Sequence, residues 1–465
     1  MNIYNTRSKH VEKFSPIEPK HARMYSCGPT VYDHAHIGNL SSYIYADTLR
    51  RILSAAGLEV THTMNITDVD DKTIRRSLES DHTEEPMTAL LEFTREYTER
   101  FFEDMAAVGN DINAIGFVRA TDHIEHMQVL ITDLLERGFA YTSDDGIYFS
   151  LRAYREAGKV YGQLLHLTDA STSESRIDND EYDKESVHDF ALWKKRKDNE
   201  PYWQFEVNGE EFDGRPGWHI ECSAMSAAAL GLPFDIHTGG IDLIFPHHEN
   251  EIAQSTAGSN QSLMANVFFH NEHLLVEGKK MSKSLQNFYT LNDLRTKGID
   301  PLAFRILVLQ SHYRSQSNFT WEGLEAASGL LRDIRGWADL RFQSLQSLET
   351  SKECKEHLER IQEAAEQDLN TPQAITELIS LVKRTAELGA DSETIAEILP
   401  EIELIFGLNL LNRQDIGATE KSMLNARTKA RADKDWQLSD TIRDQLRDAG
   451  LEVRDTEQGQ IWNRL

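Results

Sequence analysis

Apolar and polar positions recur along this chain with two different periods, and the places where the period changes divide it into regions. Arg23-Met24-Tyr25-Ser26-Cys27 reads as a short strand that runs into a turn at Gly28-Pro29-Thr30. Over residues 38–56, Leu40, Tyr43, Ile44, Leu49, Ile52 and Leu53 return at spacings of three and four, which predicts a helix with Gly57 as its stop. Residues 58–64 then carry the β-branched content of a strand. Strand, helix and strand in one short span make a βαβ unit, the seed of a parallel sheet. Helical patterns follow over 84–108 and 119–137, and residues 139–142 and 147–150 flank Ser143-Asp144-Asp145-Gly146 as the arms of a hairpin. Residues 168–189 are dominated by Ser, Asp and Glu, which fits a solvated loop within an insertion. Strand-like and glycine-rich segments return over 215–278. Beyond residue 300 the pattern is helical, over 301–312, 321–347, 352–368, 372–388 and 392–406, and this predicts a helical bundle. Two more helical patterns and short strands at 451–455 and 461–462 predict a small mixed module at the end.

Composition narrows the classes. The 465 residues suffice for about three domains, each with its own core. No window is apolar enough for a bilayer span, and the first ten residues lack the apolar centre of a secretory signal, so the expectation is a cytoplasmic protein that makes no membrane contact. Three cysteines, Cys27, Cys222 and Cys354, are too few for a disulfide framework. Lys and Arg number 49 against 76 Asp and Glu, a formal charge of −27. That balance argues against bulk binding to nucleic acid, which needs cations to displace counterions, but it leaves room for a local basic groove.

Three constellations carry candidate chemistry. Asp33-His34-Ala35-His36-Ile37-Gly38-Asn39 stands where the first predicted helix begins, and the free N–H groups and positive dipole there suit a polyphosphate; ordinary capping histidines would look the same. Far downstream, Lys280-Met281-Ser282-Lys283-Ser284 could clamp a pyrophosphate leaving group, or could be a solvated basic loop. Cys27, Cys222 and the segment His247-His248-Glu249-Asn250-Glu251 form the third. On a helix His247 and Glu251 share a face, and two thiolates, an imidazole and a carboxylate make a tetrahedral zinc shell; buried core thiols beside an acidic helix surface are the alternative.

The first two constellations resemble the HIGH and KMSKS signatures of class I aminoacyl-tRNA synthetases, with Asn39 in place of the usual final histidine. The stretches Tyr25 through Asp33, Asn65 through Lys72, Gly217 through Met225 and Phe245 through Glu251 resemble the cysteinyl-tRNA synthetase family in particular. That resemblance implies an α/β fold: a Rossmann-like parallel-sheet catalytic domain with an insertion, an α-helical bundle and a small mixed α/β C-terminal module. It places the catalytic domain at 1–115 and 200–270, the connective insertion at 116–199, a stem-contact region with the KMSKS loop at 271–318, a tRNA-binding helical bundle at 319–410 and an anticodon-binding module at 411–465. It implies one Zn²⁺ per chain on Cys27, Cys222, His247 and Glu251, and a cysteine pocket of Gly28, Thr30, Thr67, Trp218 and His237. ATP, with Mg²⁺, would lie against His34, His36, Gly38, Asn39, Lys280, Ser282 and Lys283, with His36, Lys280 and Lys283 as the catalytic groups. L-cysteine and tRNA(Cys) are the further partners it implies, and a monomer is the expected state. Zinc answers the selectivity problem, because a borderline-soft cation takes a thiolate and leaves a serine hydroxyl a poor ligand.

The last region bears on the acceptor. Arg427, Arg431 and Lys434 fall on one helical face beside Trp436, an arrangement that can follow a phosphate backbone while an aromatic stacks on a base; a plain charged surface is the alternative. Mycothiol-pathway ligases resemble the same catalytic half but lack such a terminal module. A silent RNA-binding relative is a third reading, against which the retained lysines and ligand positions speak.

Overall fold

The computed structural model describes residues 1–79, 85–165, 189–281, 287–345, 348–389, 391–456 and 459–465. Most of the acidic segment at 168–189 lies outside the described residues, as do Ser282 and Lys283. The chain forms two compact units, one of residues 1–297 with 313–319, the other of 298–312 with 320–465.

The first unit is built on five parallel strands in the order Ala265–Asn271, Phe234–Gly240, His21–Ser26, Glu59–Ile66, Ile115–Arg119. The βαβ expectation is met by His21–Ser26, the helix Ile37–Ala55 and Glu59–Ile66. That helix ends where Gly57 turns left-handed, at φ 84°, a conformation that costs glycine little. From the central strand His21–Ser26 the chain builds toward Ile115–Arg119 on one side, and later toward Ala265–Asn271 on the other. The point where the order reverses lies between His21–Ser26 and Phe234–Gly240, and such a crevice at the carboxyl ends of the strands is where open α/β sheets bind ligands.

The predicted hairpin forms Ala140–Ser143 and Gly146–Phe149, with Ala140 opposite Phe149. It joins Phe190–Lys195 and Gly214–Pro216 in a four-stranded antiparallel sheet. The strand Ser317–Phe319 runs parallel to Leu274–Val276, which is why 313–319 belongs to the first unit. No helix among the described residues is long and apolar enough to cross a membrane.

The second unit is mainly helical: Pro301–Leu309, Trp321–Asp339, Leu348–Glu366, Thr371–Leu388 and Ser392–Phe406, then Ala418–Ala432 and Trp436–Asp448 before the antiparallel pair Leu451–Thr456 and Gly459–Arg464. The helix expected over 321–347 stops at Asp339. There the chain tightens through Leu340–Phe342, and the fully buried Asp339 carboxylate receives Arg413 Nε at 2.7 Å and Arg464 Nη1 at 2.5 Å. Two distant segments therefore dock on that helix end. Leu424, Ile442, Leu446, Leu451, Val453 and Trp462 close a small separate core over the terminal hairpin.

Replacing Asp339 leaves two guanidinium groups without their shared buried partner. Asp339→Ala is expected to destabilise the second unit by about 3 kcal/mol, measured as a shift in the denaturation midpoint; an unchanged midpoint would refute this role.

Candidate functional site

A cavity of about 930 Å³ opens at the carboxyl ends of the central strands. Ser26, Cys27 and Gly28 line it where His21–Ser26 ends, and Thr238, Gly239 and Gly240 line it where Phe234–Gly240 ends, so it occupies the switch point of the sheet. Thr30, His34, His36, Asn39 and Trp218 also face it.

One end of the cavity is the start of the helix Ile37–Ala55. His36 is the N-cap, and its Nδ1 accepts a hydrogen bond from the Asn39 backbone N–H at 3.2 Å. With Nδ1 the acceptor, a neutral ring carries its proton on Nε2, a donor at the positive end of the helix dipole. His34 Nε2 lies 3.0 Å from Arg100 Nη1. The two signatures, far apart in sequence, meet here. Met281 comes so near Gly38 that a Cβ on the glycine would stand 2.3 Å from its methyl carbon, the Ile37 N–H donates to the Tyr289 carbonyl at 2.9 Å, and the Phe288 ring lies edge-on to His36 at 4.6 Å. Lys280 is exposed on the short strand Lys279–Lys280, while Ser282 and Lys283 lie outside the described residues.

Beside the cavity, four segments converge. Cys27 follows the central strand, Cys222 comes from the helix Trp218–Leu230, His247 from the turn Ile244–His248 and Glu251 from the helix Glu249–Gly258. One donor atom from each lies within 4.8 Å of all the others, and all four residues are buried. Glu251 Oε1 stands 2.9 Å from His247 Nε2 and 3.8 Å from Cys27 Sγ, and its Oε2 accepts from His237 Nε2 at 2.7 Å. Burial alone would push the Glu251 carboxyl up, but His237 and His247 outweigh it and hold the group well below the usual carboxylate range. His247 is the reverse case: burial opposes its charge, yet Glu251 and Cys222 raise it to about 10. A hydrogen bond from Cys27 brings Cys222 down to about 6, whereas burial drives the Cys27 thiol well above its ordinary range. Two thiols, an imidazole and a carboxylate gathered out of water, with the second ring nitrogen of His247 paired to His219 at 2.8 Å, are a donor set consistent with zinc. A second group, Cys27, His237, His248 and Glu251, meets the same distance condition.

The residues expected around the amino acid lie close by. Gly28 donates its backbone N–H to Asn65 Oδ1 at 2.7 Å, Thr30 and Thr67 pair across adjacent segments, and Trp218, 37% exposed, stacks on His247 at 4.3 Å. Thr67 donates to Glu221 Oε2 at 2.9 Å. His237 is fully buried, and its Nδ1 has no hydrogen-bond partner among the described residues. Sequence reasoning missed His219, Glu221 and His270, which border this cluster; His219 and Glu221 share the helix Trp218–Leu230 with Cys222, and His270 is brought in by the strand Ala265–Asn271, so no spacing within one segment joins all three.

Elsewhere the structure changes the reading of the terminal basic face and engages a second basic run. Arg427 is buried and donates to Asp455 at 2.9 and 2.8 Å and to Gln460 at 2.8 Å, so it ties the terminal hairpin to its helix and cannot follow a phosphate backbone. Arg431 lies 3.0 Å from Asp455 and over the ring of Trp436, which is itself 56% exposed. In the Lys194-Lys195-Arg196-Lys197 run, Lys194 pairs with Asp71 at 2.9 Å while Lys195 and Arg196 cover the rings of Phe212 and Tyr202.

Residues 13–329 match the family model of the tRNA synthetases class I (C) catalytic domain, and residues 413–462 match the cysteinyl-tRNA ligase anticodon binding domain. The chain is 40% identical over 488 residues to a cysteine-tRNA ligase of Brachyspira hyodysenteriae, covering 99% of each. It is 40% identical over 485 residues to that of Leptospira interrogans serovar Lai, covering 100% of this chain and 99% of the other. Among solved structures, the methionyl-tRNA synthetase of Mycobacterium tuberculosis with methionyl-adenylate aligns at a TM-score of 0.59 and 13% identity, over 84% of this chain and 93% of that one. A leucyl-tRNA synthetase from Agrobacterium radiobacter, in a ternary complex, aligns at 0.57 and 12% identity, over 86% and 84%. These two likenesses concern the fold.

The close approach at Gly28 yields a test. A Cβ there would stand 1.8 Å from the Asn65 carbonyl oxygen, a backbone atom that cannot turn aside. Gly28→Ala is expected to cost about 2 kcal/mol of stability, whereas Gly329→Ala, in a helix with open space around it, should gain about 0.5–1 kcal/mol. Thermal denaturation of both variants checks the contrast; equal effects would sink it.

Proposed function

The chain belongs to the cysteine-tRNA ligase family of class I synthetases, and from that premise we propose how its own residues activate cysteine and hand it on. As an aminoacyl-tRNA ligase it joins two steps. The cysteine carboxylate attacks the α-phosphate of ATP, forming cysteinyl-adenylate as pyrophosphate leaves, and a terminal ribose hydroxyl of tRNA(Cys) then takes the acyl group as AMP leaves. A carboxylate needs no general base, so catalysis is positioning and charge stabilisation.

The observation that carries the reading is the meeting of Cys27, Cys222, His247 and Glu251 beside the cavity at the sheet's switch point. In this proposal those four hold one zinc per chain. When bound, zinc supplies a Lewis acid that prefers the sulfur of cysteine to the oxygen of serine. Gly28, Thr30 and Thr67 offer backbone and hydroxyl groups to the ammonium and carboxylate, and Trp218 forms an indole wall. The buried His237, fixed through Nε2 by Glu251, keeps Nδ1 for the substrate.

At the other end, His36 donates from Nε2 to the phosphates of ATP, joined by His34, Asn39 and the backbone at Gly38, where the helix dipole also favours negative charge. The nearness of Met281 to Gly38 supports a role for Lys280, Ser282 and Lys283 at the developing pyrophosphate, with Mg²⁺ accompanying ATP. The functional layout proposed for the chain is catalytic residues 1–115 and 200–270, an insertion at 116–199, a stem-contact region at 271–318, a tRNA-binding bundle at 319–410 and an anticodon module at 411–465. A monomer working in the cytoplasm completes the proposal.

Transfer of labelled cysteine to total tRNA, with serine run in parallel, tests the whole. Only cysteine should enter acid-precipitable material, and comparable labelling by serine would overturn the metal-based choice. Cys222→Ser should lose zinc by elemental analysis and cut cysteine-dependent ATP–pyrophosphate exchange at least about 100-fold. A variant that kept stoichiometric zinc would refute the ligand set. Lys283→Ala should depress the exchange far more than tRNA binding, and matched losses would contradict that division of labour.

A further inference from the structure

Behind Cys27 a line of side chains runs to the turn after the first strand of the chain, Asn2–Asn5. Cys27 Sγ lies 3.3 Å from His248 Nε2, His248 Nδ1 lies 2.8 Å from His270 Nε2, and His270 Nδ1 lies 2.8 Å from Thr6 Oγ1. His248 has no exposed surface and His270 is 7% exposed. Thr6 is only partly buried, and its backbone N–H donates to the Phe268 carbonyl at 2.9 Å, on the same strand, Ala265–Asn271, that carries His270. The Thr6 end of the line is thus fixed by backbone.

Every separation is of hydrogen-bond length, so the protons along the line must alternate. A neutral imidazole has one donor and one acceptor nitrogen, and a thiolate only accepts. Burial pushes His270 down to about 3, so its ring is neutral. With both imidazoles neutral and Cys27 Sγ a thiolate, a single arrangement satisfies all three contacts. The Thr6 hydroxyl donates to His270 Nδ1, His270 Nε2–H donates to His248 Nδ1, and His248 Nε2–H donates to the sulfur.

We propose that His248 is a positioning residue for the zinc site, donating an N–H···S hydrogen bond to Cys27, and that His270 and Thr6 hold it in the tautomer able to do so. This rests on the reading in which Cys27, Cys222, His247 and Glu251 bind the metal. The bond draws charge from the sulfur and fixes its direction, the part that groups behind a ligand play in tuning a metal centre. It also separates the two donor sets. Were His237 and His248 ligands in place of Cys222 and His247, the buried Cys222 sulfur would be left outside the metal shell. As a hydrogen-bond donor His248 leaves every nitrogen on the line paired.

The test uses the full chain, with zinc affinity read by chelator competition and the sulfur-to-metal charge-transfer band read after Co²⁺ substitution. His270→Phe should weaken zinc about 10–100-fold and shift the band. Thr6→Val, at the partly exposed end and away from every ligand, should change both in the same direction by less. His248→Gln, whose side-chain amide can still donate, should recover most of the affinity that His248→Phe loses. Unchanged affinity and band in both Thr6→Val and His270→Phe, with zinc still dependent on Cys222, would overturn the proposal and leave the ligand set standing. Zinc retained by Cys222→Ala but lost by His248→Phe would overturn the ligand set instead, and this proposal with it.

Discussion

A carboxylate with no exposed surface, Glu251, lies at the centre of the site, and the cost of burying its charge governs what surrounds it. His237 and His247 meet its two oxygens from different segments, and Cys27 approaches from a third. Neither the carboxylate nor a charged imidazole could be buried alone at tolerable cost; together they compensate one another, and with the cysteine sulfurs they make a donor cluster suited to a divalent cation. The sheet serves this requirement. Its order brings the ends of His21–Ser26 and Phe234–Gly240 side by side, and Gly28 lets the first of them pass against the Asn65 carbonyl.

The nucleotide end depends on a milder constraint, the unsatisfied N–H groups of one helix. His36 satisfies one through Nδ1 and thereby sets which nitrogen carries its proton. Residues 288–290 lie against the same helix start, so the segment leading out of the lysine-rich loop is anchored where the phosphates would sit. Proximity of this kind is invisible to a reading of either motif by itself.

Cations illustrate how little net charge reveals. In a chain of charge −27, Arg427, Arg413, Arg464 and Lys194 are engaged by Asp455, Asp339 and Asp71. They act as ties between segments. Arg427 looked like an RNA contact because helical spacing places it in line with Arg431; the terminal hairpin folds over it and takes both ends of its guanidinium.

Local pattern by itself determined the βαβ start, the hairpin at 140–149 and most helices of the second unit, because each follows from contacts within a few residues along the chain. Residue type left each constellation open, and it was the resemblance of the paired signatures and the surrounding stretches to a known family that pointed to an enzyme handling ATP and to Cys27, Cys222, His247 and Glu251 as candidate ligands. Only the tertiary structure decided that the helix expected over 321–347 ends at Asp339, which two distant arginines hold, and that His219, Glu221, His248 and His270 border the cluster of Cys27, Cys222, His247 and Glu251. The reason is physical. Burial and hydrogen-bond partners are properties of contacts between segments far apart in sequence, and no periodicity within one segment encodes what another will place beside it.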